Sequence, residues 1–459
     1  MIGRRGAGLT GLLFACLILV YHFNPGIVPW SSPNLGPMIT LPLGEVKVKK
    51  RKSHLNYEVL NYFEQAFSLG APEQYDFKAL HHQCQIAPQQ REEVYLQCVG
   101  MIAGLTSIMS SLKVCFKMAT EIGAGIVLPT IPLRDSHNLM EYNFMNKDAY
   151  LNYDQWFDAE HLITQLRRVC PQMKVLYPDQ LDSNTPDGVL VKSRWEIKLH
   201  NAVGYRENPF PFFWPGMPFG AFFQDQYMQL CRNASLDPNT DHVKVGATVI
   251  TINSPFLLFR ITDDPTGHDL RLWNDLGMLI RFRENQREII YELLAKMNRP
   301  WYGVHFRAEN DSLWSSTDKQ LAVNLNALDK AWAIYGNEGE QKPLVYIACG
   351  DHEQVQKFVQ EGSLRGWEVT HKWALAEGNK TILKMINDLP FDFQGAVDIG
   401  IIVKSDFFLG ITGSALSSTV ANVRDKTGRY RGSSFMVHDD ENARTHLFND
   451  GNNIYPCCL

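Results

Sequence analysis

The chain has 459 residues, 45% of them apolar and 11% aromatic, which is enough for two packed domains and more than one core usually supports. Its 44 basic and 49 acidic residues are spread along the chain and leave a formal charge of −5. That balance gives no electrostatic footprint for DNA or RNA, so nucleic acid is not an expected partner.

From the N-terminus, Arg4 and Arg5 precede an apolar run from Leu9 to Phe23, which suits a signal-peptide core or a short membrane anchor. Bulky and Pro-bearing residues follow where a small-x-small cleavage site would stand. This favours an uncleaved signal-anchor at 9–23, with residues 1–8 cytoplasmic and the body in the lumen. The expected location is therefore the endoplasmic reticulum or Golgi membrane, single-pass and type II; a cleaved secretory signal leaves the same compartment. Residues 24–45 hold five prolines and are followed by "KVKKRK", so 24–53 reads as a solvated stem.

Eight of the nine cysteines lie beyond the anchor, an even number that permits disulfides. Cys84 and Cys98 are near enough in sequence to close a short loop, whereas Cys115 and Cys349 sit in apolar periodic segments and read as buried thiols. No C-x-x-C pair or His/Cys cluster suggests zinc. Sequons at Asn233, Asn310 and Asn379 fit a secretory route.

In the first half, Leu105, Ile108, Met109, Leu112, Cys115, Phe116 and Ala119 recur at helical spacing after a Gly-turn, and Gly123 and Gly125 lead into a strand at 126–128. A Gly-turn entering a helix can present N–H groups to a phosphate, and tight loop packing explains it equally well. "KVLYP" at 174–178 is another strand. The segment 208–224 is too rich in Pro, Gly and aromatics for regular structure and reads as an inter-domain crossing or a cleft loop. A long helix is expected over roughly 270–297. Strands and helices then alternate: "WYGVHF", a helix over 318–334, "PLVYIAC", a helix from His352, "WEVTH", a helix near 394–404, "FFLGI" and a helix from Ser414. That alternation implies βαβ units and a parallel sheet, hence an α/β protein of two Rossmann-like domains facing one another.

In an extended "WYGVHF", His305 and Arg307 share one face and emerge at the strand's carboxyl end, where open α/β sheets bind ligands. Arg307 offers a planar fork for a phosphate, and Glu309 and Asp311 can orient it, hold the turn or meet a sugar hydroxyl. "TGSALSST" forms a small-residue turn running into a helix, a source of N–H and hydroxyl donors for a diphosphate. Asp398 either caps the helix near 394–404 or accepts from a purine edge. "HDDEN" at 438–442 reads as a solvated loop, not a metal site.

His305-x-Arg307-x-x-x-Asp311, "VYIACGD" at 345–351, and Asp398 with Asp406-x-Phe408-x-Gly410-x-x-x-Ser414 resemble, in order and spacing, the GDP-fucose protein O-fucosyltransferase superfamily over most of 301–425. "GLTSIMSSLKVCFKMATEIGAGIVLP" is similar to that family's first Gly-turn, helix and strand, and "HFRAEND" also resembles its plant branch that includes rhamnosyltransferases. The resemblance implies a GT-B fold, with an acceptor-side domain at 54–245 and a nucleotide-sugar-binding domain at 246–459 across a cleft. It implies an inverting transfer of fucose from GDP-fucose to a hydroxyl of a protein or glycan. Carried over by residue, Arg307 holds the β-phosphate, His305 contacts the nucleotide, Asp398 reads guanine, and Ser414 with the backbone of Ala415 and Leu416 cradles the phosphates. Gly104, in the first Gly-turn, joins the donor-binding set. Arg307, Glu309 and Asp311 form the candidate catalytic group; Glu309, Asp311 and an acid elsewhere in the N-terminal half are alternatives for the base.

Two departures stand out. Ala415-Leu416 replaces the family's common Ser-Phe or Thr-Phe, and "GMIAGLT" offers Thr106 where Asn or Glu often stands. No Asp-x-Asp occurs in the chain, so the expected reaction needs neither metal nor cofactor. The alternatives are the same fold with another nucleotide-sugar donor, such as a rhamnose donor, or a catalytically silent nucleotide-sugar-binding protein.

Overall fold

The computed structural model describes residues 57–87, 93–139, 147–197, 246–253, 266–309, 316–336, 339–411 and 414–425, with short pieces at 213–214, 228–229, 232, 258–259, 434–437 and 446–447. The anchor, the stem, Asp311, "HDDEN" and most of 208–224 lie outside the described residues. Among the described residues, no helix is long and apolar enough to cross a membrane.

The first half carries α1 (Tyr57–Phe67), α2 (Lys78–Ile86), β1 (Val94–Val99), α3 (Leu105–Ile122), β2 (Gly125–Val127), α4 (Ala159–Val169), β3 (Val175–Leu176), β4 (Val191–Ile197) and β5 (Ala247–Asn253). Its strands form a parallel sheet in the order β3-β2-β1-β5-β4. β5 follows residue 245, where the sequence reading divides the chain, yet it pairs with β1 over six residues of register from Val94–Thr248 to Val99–Asn253. The first sheet is complete only with residues 247–253.

The second half carries α5 (His268–Met278), α6 (Glu284–Leu294), β6 (Trp301–His305), α7 (Thr317–Tyr335), β7 (Leu344–Ala348), α8 (His352–Leu364), β8 (Val369–Thr370), α9 (Lys372–Ala376), α10 (Lys380–Asp388), α11 (Phe391–Val403), β9 (Phe407–Ile411), α12 (Ala415–Asp425), β10 (Ser434–Val437) and β11 (His446–Leu447). The strand order is β8-β7-β6-β9-β10-β11, parallel except for the last pair. Counted within this half, that order is 3-2-1-4-5-6, so the topological switch lies between β6 and β9. All five residues of β7 and of β9 are buried, as expected of parallel strands covered on both faces. Both halves belong to one compact unit, Ser53–Leu459.

The helix expected over 270–297 is two helices, because residues between them are pulled inward. Phe282 N–H donates to the Ala66 carbonyl at 3.0 Å, and the Phe282 ring stacks on Phe67 at 4.7 Å between centroids. Arg281 donates to the Ser68 carbonyl at 2.7 Å, and its own carbonyl accepts from Asp158 N–H at 2.8 Å. Tertiary contacts override helix propensity there. The helical face expected on α3 is also too narrow: its residues are buried almost all round, Lys113 over the Trp273 ring and Lys117 against Glu121 and Asp269.

The cysteine reading is corrected. Cys98 on β1 bonds to Cys115 on α3, and Cys84 on α2 bonds to Cys170 after α4. Cys98 faces α3, while the α2–α4 junction is held by His81 Nδ1 against the Val169 carbonyl at 3.0 Å and by Gln172 Nε2 donating to the Cys84 carbonyl at 2.8 Å. Cys349 is a buried free thiol, as expected.

Gly303 lets β6 lie close to the segment behind it. A Cβ there would sit 2.9 Å from Ser405 Oγ and 3.0 Å from Ile402 Cβ. Ser405 Oγ is locked between the Ile402 and Phe407 carbonyls, at 2.6 and 2.9 Å, with its one hydrogen shared between them. Gly303→Ala is therefore expected to destabilise by about 1–3 kcal/mol through overpacking, read as a lower denaturant midpoint at constant slope.

Candidate active site

The carboxyl ends of β6, β7 and β9 and the loop after β1 converge on a cavity of about 250 Å³. Its walls include Gly104, Thr106, Arg134, His305, Arg307, Glu309, Cys349, Gly350, Lys372, Asp392, Asp398, Ser414, Ala415 and Leu416. The structure thus brings together every described residue of the expected site. Asp406 stands apart: its carboxylate accepts from Trp301 N–H at 3.1 Å at the opposite end of β6 and ties strand starts together.

His305 and Arg307 leave the strand on one side while Val304 and Phe306 are buried in the core. His305 Nδ1 lies 2.7 Å from Ser417 Oγ, which itself accepts from Ile411 N–H at 3.0 Å. Ser414 Oγ lies 3.5 Å from the same ring nitrogen, so two serines at the start of α12 hold the imidazole. Ser414 is buried just before α12, whose first residues Ala415 and Leu416 line the cavity. The positive end of that helix faces the cleft.

Arg307 Nη1 donates to Glu309 Oε2 at 2.9 Å, and Glu309 Oε1 accepts from Gly350 N–H at 2.8 Å. Burial pushes the Glu309 carboxyl up, but Arg307, His305 and the Gly350 N–H together hold it below its usual range. A Cβ on Gly350 would lie 2.2 Å from the Phe391 ring, so only glycine brings its N–H to Glu309 here.

Asp398 lies inside α11 and not at its start, where Pro390 is the cap; the helix-cap explanation is excluded. Its carboxylate accepts from Tyr346 OH at 2.7 Å and from Lys372 Nζ at 2.8 Å, and Lys372 also donates to the Cys349 carbonyl at 2.9 Å. Burial, and secondarily Glu309, raises the Asp398 carboxyl above its usual range despite Lys372 and Tyr346. The Cys349 thiol is pushed well up by burial and then by Glu309, which leaves it unreactive. His371, which caps α9 by accepting from Ala374 N–H at 3.2 Å, is pulled down from 6.5 to about 4 by burial, Lys372 and His352. The folded state resists protonating it, so stability is expected to fall as pH drops from 6.5 toward about 4. A Tm–pH series in which His371→Asn flattens this limb checks the assignment.

Arg134 and Asp392 were not found by sequence reasoning. Arg134 follows the short strand Thr130–Pro132; Asp392 lies in the first turn of α11. Arg134 Nη2 donates to Asp392 Oδ1 at 2.6 Å and Nε to Oδ2 at 3.2 Å, a two-point pair with both side chains under 10% exposed. Asp392 Oδ1 also accepts from Leu105 N–H at 3.2 Å, so an acid of the second half caps α3 of the first. The loop entering α3 holds Ala103 at φ 82°, a strained conformation for a residue with a Cβ, and Ala103 lines the cavity. Arg134→Met and Asp392→Asn are each expected to destabilise, with a double-mutant coupling of about 1–3 kcal/mol, because either change leaves the other group buried without its partner.

No protein-family model matches the chain, and no curated protein matches it. Solved structures to which it is similar include POFUT1 in complex with GDP-fucose, at 11% identity and TM-score 0.45, covering 76% of this chain and 98% of that one. It is also similar to the fucosyltransferase NodZ from Bradyrhizobium, at 13% identity and TM-score 0.38 over 78% and 98% of the two chains. A mutant of Arabidopsis thaliana FUT1 in complex with GDP is a third, at 12% identity and TM-score 0.38 over 86% and 81%. At TM-scores below 0.5 these are similarities alone, and what the cleft can do follows from its own residues.

Proposed function

We propose that the chain is an inverting glycosyltransferase of GT-B layout that moves fucose from GDP-fucose to a hydroxyl of a protein or glycan in the secretory pathway, anchored by residues 9–23. The observation that carries this reading is the meeting of Arg307 with Ser414 and the N-terminus of α12 at the β6–β9 switch point, opposite the Gly104 loop. Breaking a glycosidic bond to a nucleoside diphosphate leaves negative charge on the departing phosphate. A fixed guanidinium and N–H donors in a partly enclosed cleft stabilise that charge, and the reading calls on no metal. Asp398, whose oxygens retain lone pairs beyond those given to Tyr346 and Lys372, reads the guanine edge. His305 contacts the nucleotide.

A second reading, a silent nucleotide-sugar binder, is favoured by one observation. Among the described residues, each of the three carboxylates lining the cavity is held by a cation: Glu309 by Arg307, Asp398 by Lys372 and Asp392 by Arg134. The test is release of GDP from GDP-fucose by the purified full chain with candidate acceptors and without. Turnover that the Arg307→Ala variant lacks supports the transferase; GDP-fucose binding with no turnover under any condition supports the binder.

A further inference from the structure

The three ion pairs of the cavity differ in how readily an anion can replace the carboxylate. Lys372 and Asp398 are enclosed, at 1% and 6% side-chain exposure, and Lys372 is also held by the Cys349 carbonyl. Arg134 and Asp392 are enclosed and joined at two points. Arg307 is the most open of the three cations, at 20% exposure, and its Nη1 donates to Glu309 Oε2. Among the described residues, the three cations that line the cleft each meet an acid, and Arg307 is the one most open to an entering diphosphate.

We propose that Glu309 is the resident counter-ion of Arg307, that an entering diphosphate displaces it, and that Glu309 takes up a proton from solvent as it yields the guanidinium. The inference rests on the donor-site reading of Arg307. Glu309 is enclosed beside His305 and Arg307 from the end of β6, Cys349 from the end of β7, Lys372 from α9 and Asp398 from α11. Burial is the largest influence on its carboxyl and acts upward, with Arg307 the chief opposing one. When a phosphate takes over Arg307 and adds its own negative charge nearby, the balance turns toward the protonated acid. On product departure Glu309 reclaims Arg307, which weakens the hold on the leaving diphosphate. Glu309 is thus a positioning residue that tunes donor affinity and its pH dependence, not the acceptor's base.

The test is calorimetric titration of the full chain and of Glu309→Gln with GDP and, separately, with inorganic pyrophosphate, at about pH 6 in two buffers of different ionisation enthalpy. The free ligand brings the same phosphate protons to both proteins, and the difference between the two proteins is the readout. Glutamine keeps the acceptor for Gly350 N–H and the side-chain volume, and an unchanged Tm confirms that the variant folds. The expected result is a larger proton uptake by the wild type, absent in Glu309→Gln, together with several-fold tighter binding by the variant. Equal proton uptake in the two proteins, or weaker binding by Glu309→Gln, overturns the exchange. If GDP binds without the difference, the donor-site reading survives and the exchange fails. If pyrophosphate shows the difference and GDP does not bind, the exchange stands and the nucleotide reading fails; if neither binds, both fail.

Discussion

Arg307→Ala is expected to lower kcat/KM for GDP-fucose by about 10²–10³, the loss that follows removal of one fixed donor to a developing anion. Among the described residues lining the cleft, Arg307 is the cation that combines partial exposure with a position at the switch point; the other guanidinium there, Arg134, is joined at two points to Asp392. Arg307→Lys should recover charge but not two-point recognition, and so fall between wild type and Ala. Because Arg307→Ala also strands Glu309 in a buried site, the comparison is made in the Glu309→Gln background too. A loss of turnover that persists there, with Tm restored, belongs to the donor and not to folding. Turnover unaffected by Arg307→Ala would remove this residue from the mechanism.

Lys372→Met is expected to destabilise the protein by about 3–5 kcal/mol, since Asp398 would keep a buried charge without a cation. The deficit should be largest near neutral pH and shrink as the solution is acidified. Burial already raises the Asp398 carboxyl, and without Lys372 it is raised further; a folded-state carboxyl above its unfolded value binds protons more readily than the unfolded chain, so stability rises as pH falls. Lys372→Met with Asp398→Asn should recover most of the loss, the pair being replaced by neutral groups. Chemical denaturation of the two single variants and the double variant reads this directly. A Lys372→Met protein as stable as wild type would mean that Asp398 is not charged in the folded state.

The second half was legible because its physics is local. β7 and β9 are continuous apolar runs, the mark of strands covered on both faces, and Ser316 and Asp351 cap the helices that follow β6 and β7. His305 and Arg307 could be placed on one side of a strand from alternation alone. What escaped was long-range. Arg134 and Asp392 are separated by 258 residues, and an arginine after a short strand and an aspartate in a first helical turn each have a sufficient local explanation. Lys372 looks like a surface lysine until the fold encloses it against an acid in the middle of another helix. The break between α5 and α6 has no strong local signal, because it is made by Phe67, Ser68 and Asp158 drawing residues 281–282 inward. Disulfide partners likewise follow from packing and not from spacing: Cys98 skips Cys84, nearest to it on one side, for a helix that lies over its strand.

The central claim is that this cleft holds a guanine nucleotide sugar by its diphosphate and base. A calorimetric panel of GDP, UDP, GDP-fucose and UDP-sugars against the full chain, with Asp398→Ala and Arg307→Ala beside it, tests it most directly. Binding of GDP and GDP-fucose that both substitutions weaken, with UDP excluded, is the predicted result; UDP binding as tight as GDP, or GDP binding indifferent to Arg307, would contradict it.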